Sequence, residues 1–402
     1  LGVFNRMSKL KLLEIARNNK VHAEAGTMEL VDEIVKIPAE NYYDSKRWQK
    51  EVDLIFKRIP LVLSVSNELP NPGDYKAMDV VGVPVLIVRD GDGKIRAFLN
   101  ACRHRGAALV ENGNGNKKRF SCPYHAWTYN DKGSLIGISS AHEFGEIDKS
   151  CNSLITLPVL EKAGIIWAIL NPNSKLCIEK FLSGYDSMLE LFDLKNWHVH
   201  AQRTIKGPNW KVAYDGYLDL YHLPVLHSET FGTDISNQAN YYEWGPHQRV
   251  ISPYRSPERN GKGESFDELS VEDWPMDVLM AGVWTIFPHV SIASFNGGGR
   301  SILLSQLMPG ETPEESYTNQ YYLMEKKPNK KQAEEADKQF DLLEYVVREE
   351  DYATGLRLQK GLKTGMIDSV MFGRNEGGGQ SFHGWVDKIL KSNDKDLTSL
   401  FD

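Results

Sequence analysis

Two short pairs, Cys102-Arg103-His104 and Cys122-Pro123-Tyr124-His125, are separated by seventeen residues. That spacing can present two thiolates and two imidazoles to one buried metal centre, which obliges the chain to fold back on itself in tight loops. Thiolates suit the ferric ions of a [2Fe-2S] unit, and neutral histidines on the second iron raise its potential to about −150 to +300 mV. Such a centre accepts and passes on single electrons. A structural zinc site can use the same four residues, but zinc modules pair Cys with Cys and His with His. Here each half supplies one Cys and one His, which favours iron and sulfide. The apolar run 94–100 reads as a strand ending at the first pair, and Gly106 and Pro123 permit the loops.

The 402 residues suffice for two cores. Of four cysteines, Cys151 and Cys177 remain outside the pairs and read as free thiols of a reducing compartment, so a cytoplasmic location is expected. A net charge of −7 argues against nucleic acid and anionic membrane as partners, since both need a basic face. No apolar stretch approaches the ~18 residues of a membrane span. The organisation reads as α+β. Residues 1–45 form a helical segment, with Leu10, Leu13, Ile15, Leu30 and Ile34 packing on the catalytic domain. Residues 46–170 read as an all-β domain with turns at Asp90-Gly91-Asp92-Gly93 and Asp131-Lys132-Gly133. Residues 171–402 mix antiparallel strands at 300–308 and 317–324 with a long helix over 329–362. The charged run 325–338 reads as a solvated linker and helix start.

A second metal site is written in residues 209–227. On an unbroken helix His222 and His227 would point about 140° apart, so Pro224 is expected to break the helix and swing His227 round. Asp219, three residues before His222, shares its face. Two histidines and one carboxylate form the facial triad of non-haem Fe(II) oxygenases, with positions left open for O2 and substrate. Asp351 falls inside the apolar stripe of the long helix set by Phe340, Leu343, Val347, Leu358 and Leu362, whereas Glu349 faces away and Glu350 lies to one side. A carboxylate on a buried face needs a metal or an ion-pair partner, which makes Asp351 the candidate third ligand and Glu350 its substitute.

Together these motifs make the chain resemble the Rieske non-haem iron oxygenases, the large (alpha) subunits of aromatic-ring-hydroxylating systems. The resemblance covers roughly residues 46–385, including CRHRGA, CPYHAW, the NWK strand at 209–211, the D-x-x-H-x4-H element, the Asp351 segment before Gln359 and FHGW at 382–385. Asp215 departs from the Asn of several ring dioxygenases, and Asp219 stands where quaternary-ammonium enzymes tend to carry Glu. The resemblance implies an all-β Rieske [2Fe-2S] domain (46–170) and a helix-grip-like catalytic domain (171–402) with an antiparallel sheet and the long C-terminal helix. It implies Cys102, His104, Cys122 and His125 on the cluster, and His222, His227 and Asp351 on a mononuclear Fe(II). It further implies a homotrimer, with or without a β subunit, in which Asp219 links His222 to His125 of the neighbouring subunit. Electrons from NAD(P)H would arrive through a reductase, with or without a ferredoxin, because no G-x-G-x-x-G follows a strand here.

The expected activity is hydroxylation of a small organic, aromatic substrate with O2, by mono- or dioxygenation. Oxidative N- or O-demethylation or quaternary-ammonium oxygenation is the alternative within the family, and electron transfer without catalysis the alternative outside it. Tyr214, Asp215, Leu218, Trp284, Phe287, His289 and Phe295 are the expected pocket residues, with Asp215 or a nearby Arg for one polar group.

Overall fold

The computed structural model describes residues 2–232, 235–253, 258–259, 264–265 and 269–402. It opens with a helix, Gly2–Ala25, that buries Leu12, Leu13, Ile15 and Ala16 and leaves Leu10 exposed. The helix stops at Gly26, whose φ of +63° suits glycine. The expected second helical stretch is absent: residues 28–34 are irregular, and Leu30 and Ile34 are exposed. The backbone instead pairs across the molecule, Val31 N–H to the Arg374 carbonyl and Val35–Pro38 antiparallel to Ser369–Phe372.

The chain then forms a second helical piece where strands were expected. Asp44 caps Ser45–Glu51 by accepting from the Arg47 amide at 2.6 Å, and Val52–Phe56 continues it as a π-helix. From Leu61 onward the β reading holds. A four-stranded sheet runs in the order Ile95–Leu99, Val83–Arg89, Asp74–Val80, Gly113–Asn116, and a three-stranded one in the order Arg119–Ser121, Thr128–Asn130, Leu135–Gly137. Both sequence turns join neighbouring strands through Asx side chains: Asp90 Oδ1 accepts from the Asp92 and Lys94 amides, and Asn130 Oδ1 from Lys132 and Ser134. These sheets enclose a small core of Leu86, Val88, Phe98, Phe120, Trp127 and Tyr129, which also buries Cys102 and Cys122.

The rest is built on a seven-stranded antiparallel sheet. Its order is His198–Gly207, Ser316–Met324, Ser301–Pro309, Val290–Phe295, Val283–Ile286, His247–Ile251, Asn240–Trp244. The long helix starts at Asn329 in a capping box with Gln332, matching the expected solvated start. It packs Phe340 and Leu343 against Leu303 and Tyr322 of the sheet. Lys330–Tyr345 and Ala353–Leu362 are α-helical, but Val346–Tyr352 between them is a π-helix. The wider turn resets the angular register, so Leu358 is exposed rather than part of the stripe. Gly355 lets the helix close on Pro208 and Val212, which a Cβ would meet at 2.9 and 3.0 Å.

The NWK residues begin a helix instead of forming a strand. Asn209 is the N-cap of Trp210–Leu218 and accepts from the Lys211 amide at 2.9 Å. Its own N–H donates to Gln359 Oε1, tying it to the long helix. Lys211 and Glu51 are both fully buried and ion-paired, and Trp210 Nε1 donates to the same carboxylate at 3.0 Å. Replacing Lys211 with Met would leave Glu51 short of its main counter-charge in the interior. The expected loss is about 3–5 kcal/mol, read as a lower midpoint in urea unfolding.

Candidate metal centres and the cavity between sheet and helix

The two Cys/His pairs sit on matching loops. Cys102 N–H donates to the Ala107 carbonyl and Gly106 N–H to Cys102; Cys122 N–H donates to Trp127 and Ala126 N–H to Cys122. Both loops need a positive φ at the same place, +79° at Gly106 and +55° at Ala126. This shared geometry points the two thiols into the small core and sets the imidazoles side by side, with His104 and His125 rings 4.7 Å apart and His104 stacked on Trp127. Tyr129 Oη accepts from the Arg103 amide, leaving its proton for Cys102 Sγ at 3.4 Å. His104 Nδ1 is buried without a hydrogen-bond partner. Two buried thiols and an orphaned ring nitrogen fit a cluster held by sulfur on one side and imidazole on the other. Cys151 and Cys177 lie elsewhere, both free.

The second set converges as the spacing suggested, by a different route. The Trp210 helix ends at Leu218, and Asp219 is already extended. The break thus falls before His222, and Pro224 occupies the first turn of a short new helix, Leu223–Leu226, where its missing N–H costs nothing. His222 and His227 flank that single turn, and their Nε2 atoms come within 3.2 Å. Asp351 Oδ1 lies 3.5 Å from His222 Nε2 and 3.2 Å from His227 Nε2. These three residues are the one such trio among the described residues whose donor atoms lie mutually within 4.8 Å.

Each ring is held from behind by a carboxylate. His222 Nδ1 lies 3.1 Å from Asp219 Oδ2, and His227 Nδ1 2.6 Å from Glu350 Oε2, which also accepts from Thr230 Oγ1. With the Nδ1 proton shared this way, each Nε2 lone pair is left free for a metal. Burial lowers the His222 pKa, but Asp219 and Asp351 outweigh it and raise it to about 9, so a metal there displaces protons. The donor set fits a ferrous ion bound on one face. Glu350 as orienter of His227 was missed in the sequence; its one signal is the acidic run Glu349-Glu350-Asp351, which the π-helix splits between two tasks.

Beside the trio lies a cavity of about 730 Å³. His222, His227, Asp351 and Asp219 line it, with Phe231, Trp274, Phe295, Leu343 and Val347 among mostly apolar neighbours. The N-terminal helix closes one wall with Ile15, Ala16, Asn19 and Ala23. Of the expected pocket residues only Phe295 lines this cavity. Tyr214, Leu218, Trp284 and Phe287 are buried in the main core. His289 accepts from the Val62 amide, and burial drives its pKa to about 3, so it is a neutral core imidazole. Asp215 accepts from Tyr42 Oη at 2.9 Å and lies 3.0 Å from His383 Nε2, which fastens the Trp210 helix to the FHGW helix, Gly377–Lys391. Tyr214 and Leu218 on the Trp210 helix, Trp284 on its strand and Phe287 and His289 in the turn that follows all face the core, a direction that aromatic content alone does not disclose.

Two family descriptions match the chain: "Rieske [2Fe-2S] domain" over residues 60–155 and "Ring hydroxylating alpha subunit (catalytic domain)" over 194–392. The carnitine monooxygenase oxygenase subunit of Escherichia coli K12 is 27% identical over 373 residues, 88% of this chain and 94% of the relative. The anthranilate 1,2-dioxygenase large subunit of Acinetobacter baylyi is 27% identical over 304 residues, 73% of this chain and 59% of the relative. Among solved structures, a quaternary ammonium Rieske monooxygenase in complex with L-carnitine shares the fold at TM-score 0.71 and 22% identity, covering 89% of this chain and 96% of that one. Naphthalene 1,2-dioxygenase from Rhodococcus sp. bound to indole does so at TM-score 0.68 and 20% identity, covering 95% and 99%. The chain belongs to the Rieske oxygenase alpha-subunit family: it is a terminal oxygenase with a Rieske [2Fe-2S] cluster and a mononuclear iron.

Proposed function

We propose that Cys102, His104, Cys122 and His125 hold the cluster, that His222, His227 and Asp351 hold the mononuclear iron, and that the adjoining cavity admits a small organic substrate for oxygenation. The observation that carries this is the convergence of both Nε2 atoms and Asp351 Oδ1 on the wall of a largely apolar cavity. The cluster supplies single electrons, and a ferrous ion supplies open positions for O2 and substrate. The chain's own residues do the rest: Asp219 and Glu350 fix the two imidazoles, and the apolar walls exclude water from the reacting carbon.

Enzymes of this family work with reductase and ferredoxin partners and form oligomers. The finer reading is a homotrimer in the cytoplasm. In it, residues 46–170 act as the electron-transfer domain and 171–402 as the catalytic domain. Asp219 is partly exposed, and so is His125, beside exposed Tyr124. Partial exposure of both supports a contact across a subunit boundary, with Asp219 spanning His222 and His125 of the partner subunit. Among the described residues no helix is long and apolar enough to cross a membrane.

The test is oxygen uptake by the iron-replete protein with a reductase and NAD(P)H, against a panel of aromatic acids, amines, carnitine and betaine, with products identified by mass. Substrate-dependent uptake with an oxygenated product is expected. Reduction of the cluster with no oxygen consumed for any compound would instead identify an electron carrier. Oxygenation of carnitine or betaine alone would favour the quaternary-ammonium reading, which the likeness to carnitine monooxygenase supports.

A further inference from the structure

Arg249 lies on the strand His247–Ile251, is 2% exposed and lines the cavity together with the iron-site residues. Its Nη2 donates to the Leu279 and Ala281 carbonyls at 2.6 Å each, and its guanidinium rests on the Trp284 ring, 4.4 Å from the centroid. Nε and Nη1 are buried without any partner, and among the described residues no carboxylate pairs with this cation. Burial lowers its pKa to about 9, against the opposing pull of Tyr185 and Tyr242, so it remains charged at neutral pH. A desolvated cation with idle donors is costly unless an anion completes it. Of the described residues lining the cavity, the two carboxylates, Asp219 and Asp351, lie against the histidines instead.

We propose that Arg249 determines substrate specificity by binding the carboxylate of a small organic acid whose apolar body fills the cavity beside the iron site. This rests on the oxygenase reading of that site. A planar carboxylate matches a guanidinium held flat on an aromatic ring, and charge-assisted bonds of this kind are about twice as strong as neutral ones. Val250, Val278, Val283 and Phe295 supply apolar walls for the body. Arg249 attracts the acid head, and the apolar walls take the body of the molecule.

The test is binding, followed by tryptophan fluorescence because Trp284 touches the guanidinium, on the iron-replete protein. Probes are benzoate, phenylacetate and indole-3-carboxylate against their carboxamides. Each acid that binds should do so about ten-fold or more tightly than its amide, a preference R249Q abolishes and R249K partly restores. Equal affinity for acid and amide, an undiminished preference in R249Q, or no binding of any acid at millimolar concentration would overturn the proposal. The wild-type comparison stands even if R249Q fails to fold. Reductase-driven oxygen uptake with neutral substrates, alongside no preference for acids, would sink Arg249's role and leave the oxygenase reading intact; absence of oxygen use with acids tightly bound would do the reverse.

Discussion

Asp351→Ala is expected to strip the mononuclear iron and bring substrate-dependent oxygen uptake to background while the visible spectrum of the cluster persists. Among the described residues Asp351 is the sole carboxylate whose oxygen faces both Nε2 atoms, and alanine leaves only two imidazoles, too few to hold a ferrous ion against chelation. The fall should exceed the 10–100-fold that is typical when a residue behind a metal ligand is removed, by at least about another order of magnitude. The cluster is expected to be insulated because Cys102 and Cys122 lie in a separate small core. Iron and labile sulfide assays alongside oxygen uptake check this. Iron retained at the wild-type level would shift the third ligand to Glu350, which in the wild type holds His227 and accepts from Thr230.

Asp219→Asn should keep both metal sites loaded yet slow turnover by about 10–100-fold. Asparagine preserves the shape and one acceptor, so His222 can still donate from Nδ1. Asp219 Oδ1 accepts from the Tyr221 amide and Oδ2 takes His222, and the amide cannot reproduce two anionic acceptors at once. If the residue also receives the partner subunit's His125, loss of charge disrupts the link between metal centres more than either centre itself. The discriminating measurement is single-turnover reoxidation of the reduced cluster in the presence of substrate and O2. Reoxidation at the wild-type rate in the mutant would remove Asp219 from the electron route.

The parts of the fold legible in the sequence were those governed by near neighbours. Asp90 and Asn130 close their turns with bonds to residues two and four positions on, and Asn329 caps its helix through Gln332. The strands at 95–99, 301–309 and 316–324 fall in runs of apolar and aromatic residues. Expectations went astray where long-range contacts outweighed local signals. Residues 28–34 pair with the far end of the chain, Asn209 caps a helix because Gln359 receives its amide, and the π-turn at Val346–Tyr352 shifts the stripe that helical arithmetic assumes.

For the site, residue types, spacing and the apolar stripe of the long helix named the candidate donors of both centres, because iron chemistry restricts which side chains can serve. The direction in which each side chain points lay beyond that. Only the folded chain puts Trp284, Phe287 and His289 in the core, sends Asp215 to Tyr42 and His383, brings Glu350 behind His227, and leaves Arg249 buried with Nε and Nη1 unpartnered among the described residues. Donor identity is a local property of the amino-acid sequence, whereas the walls of a cavity are assembled from a helix at residue 15, a strand at 249 and a π-turn at 351 that share no local signal.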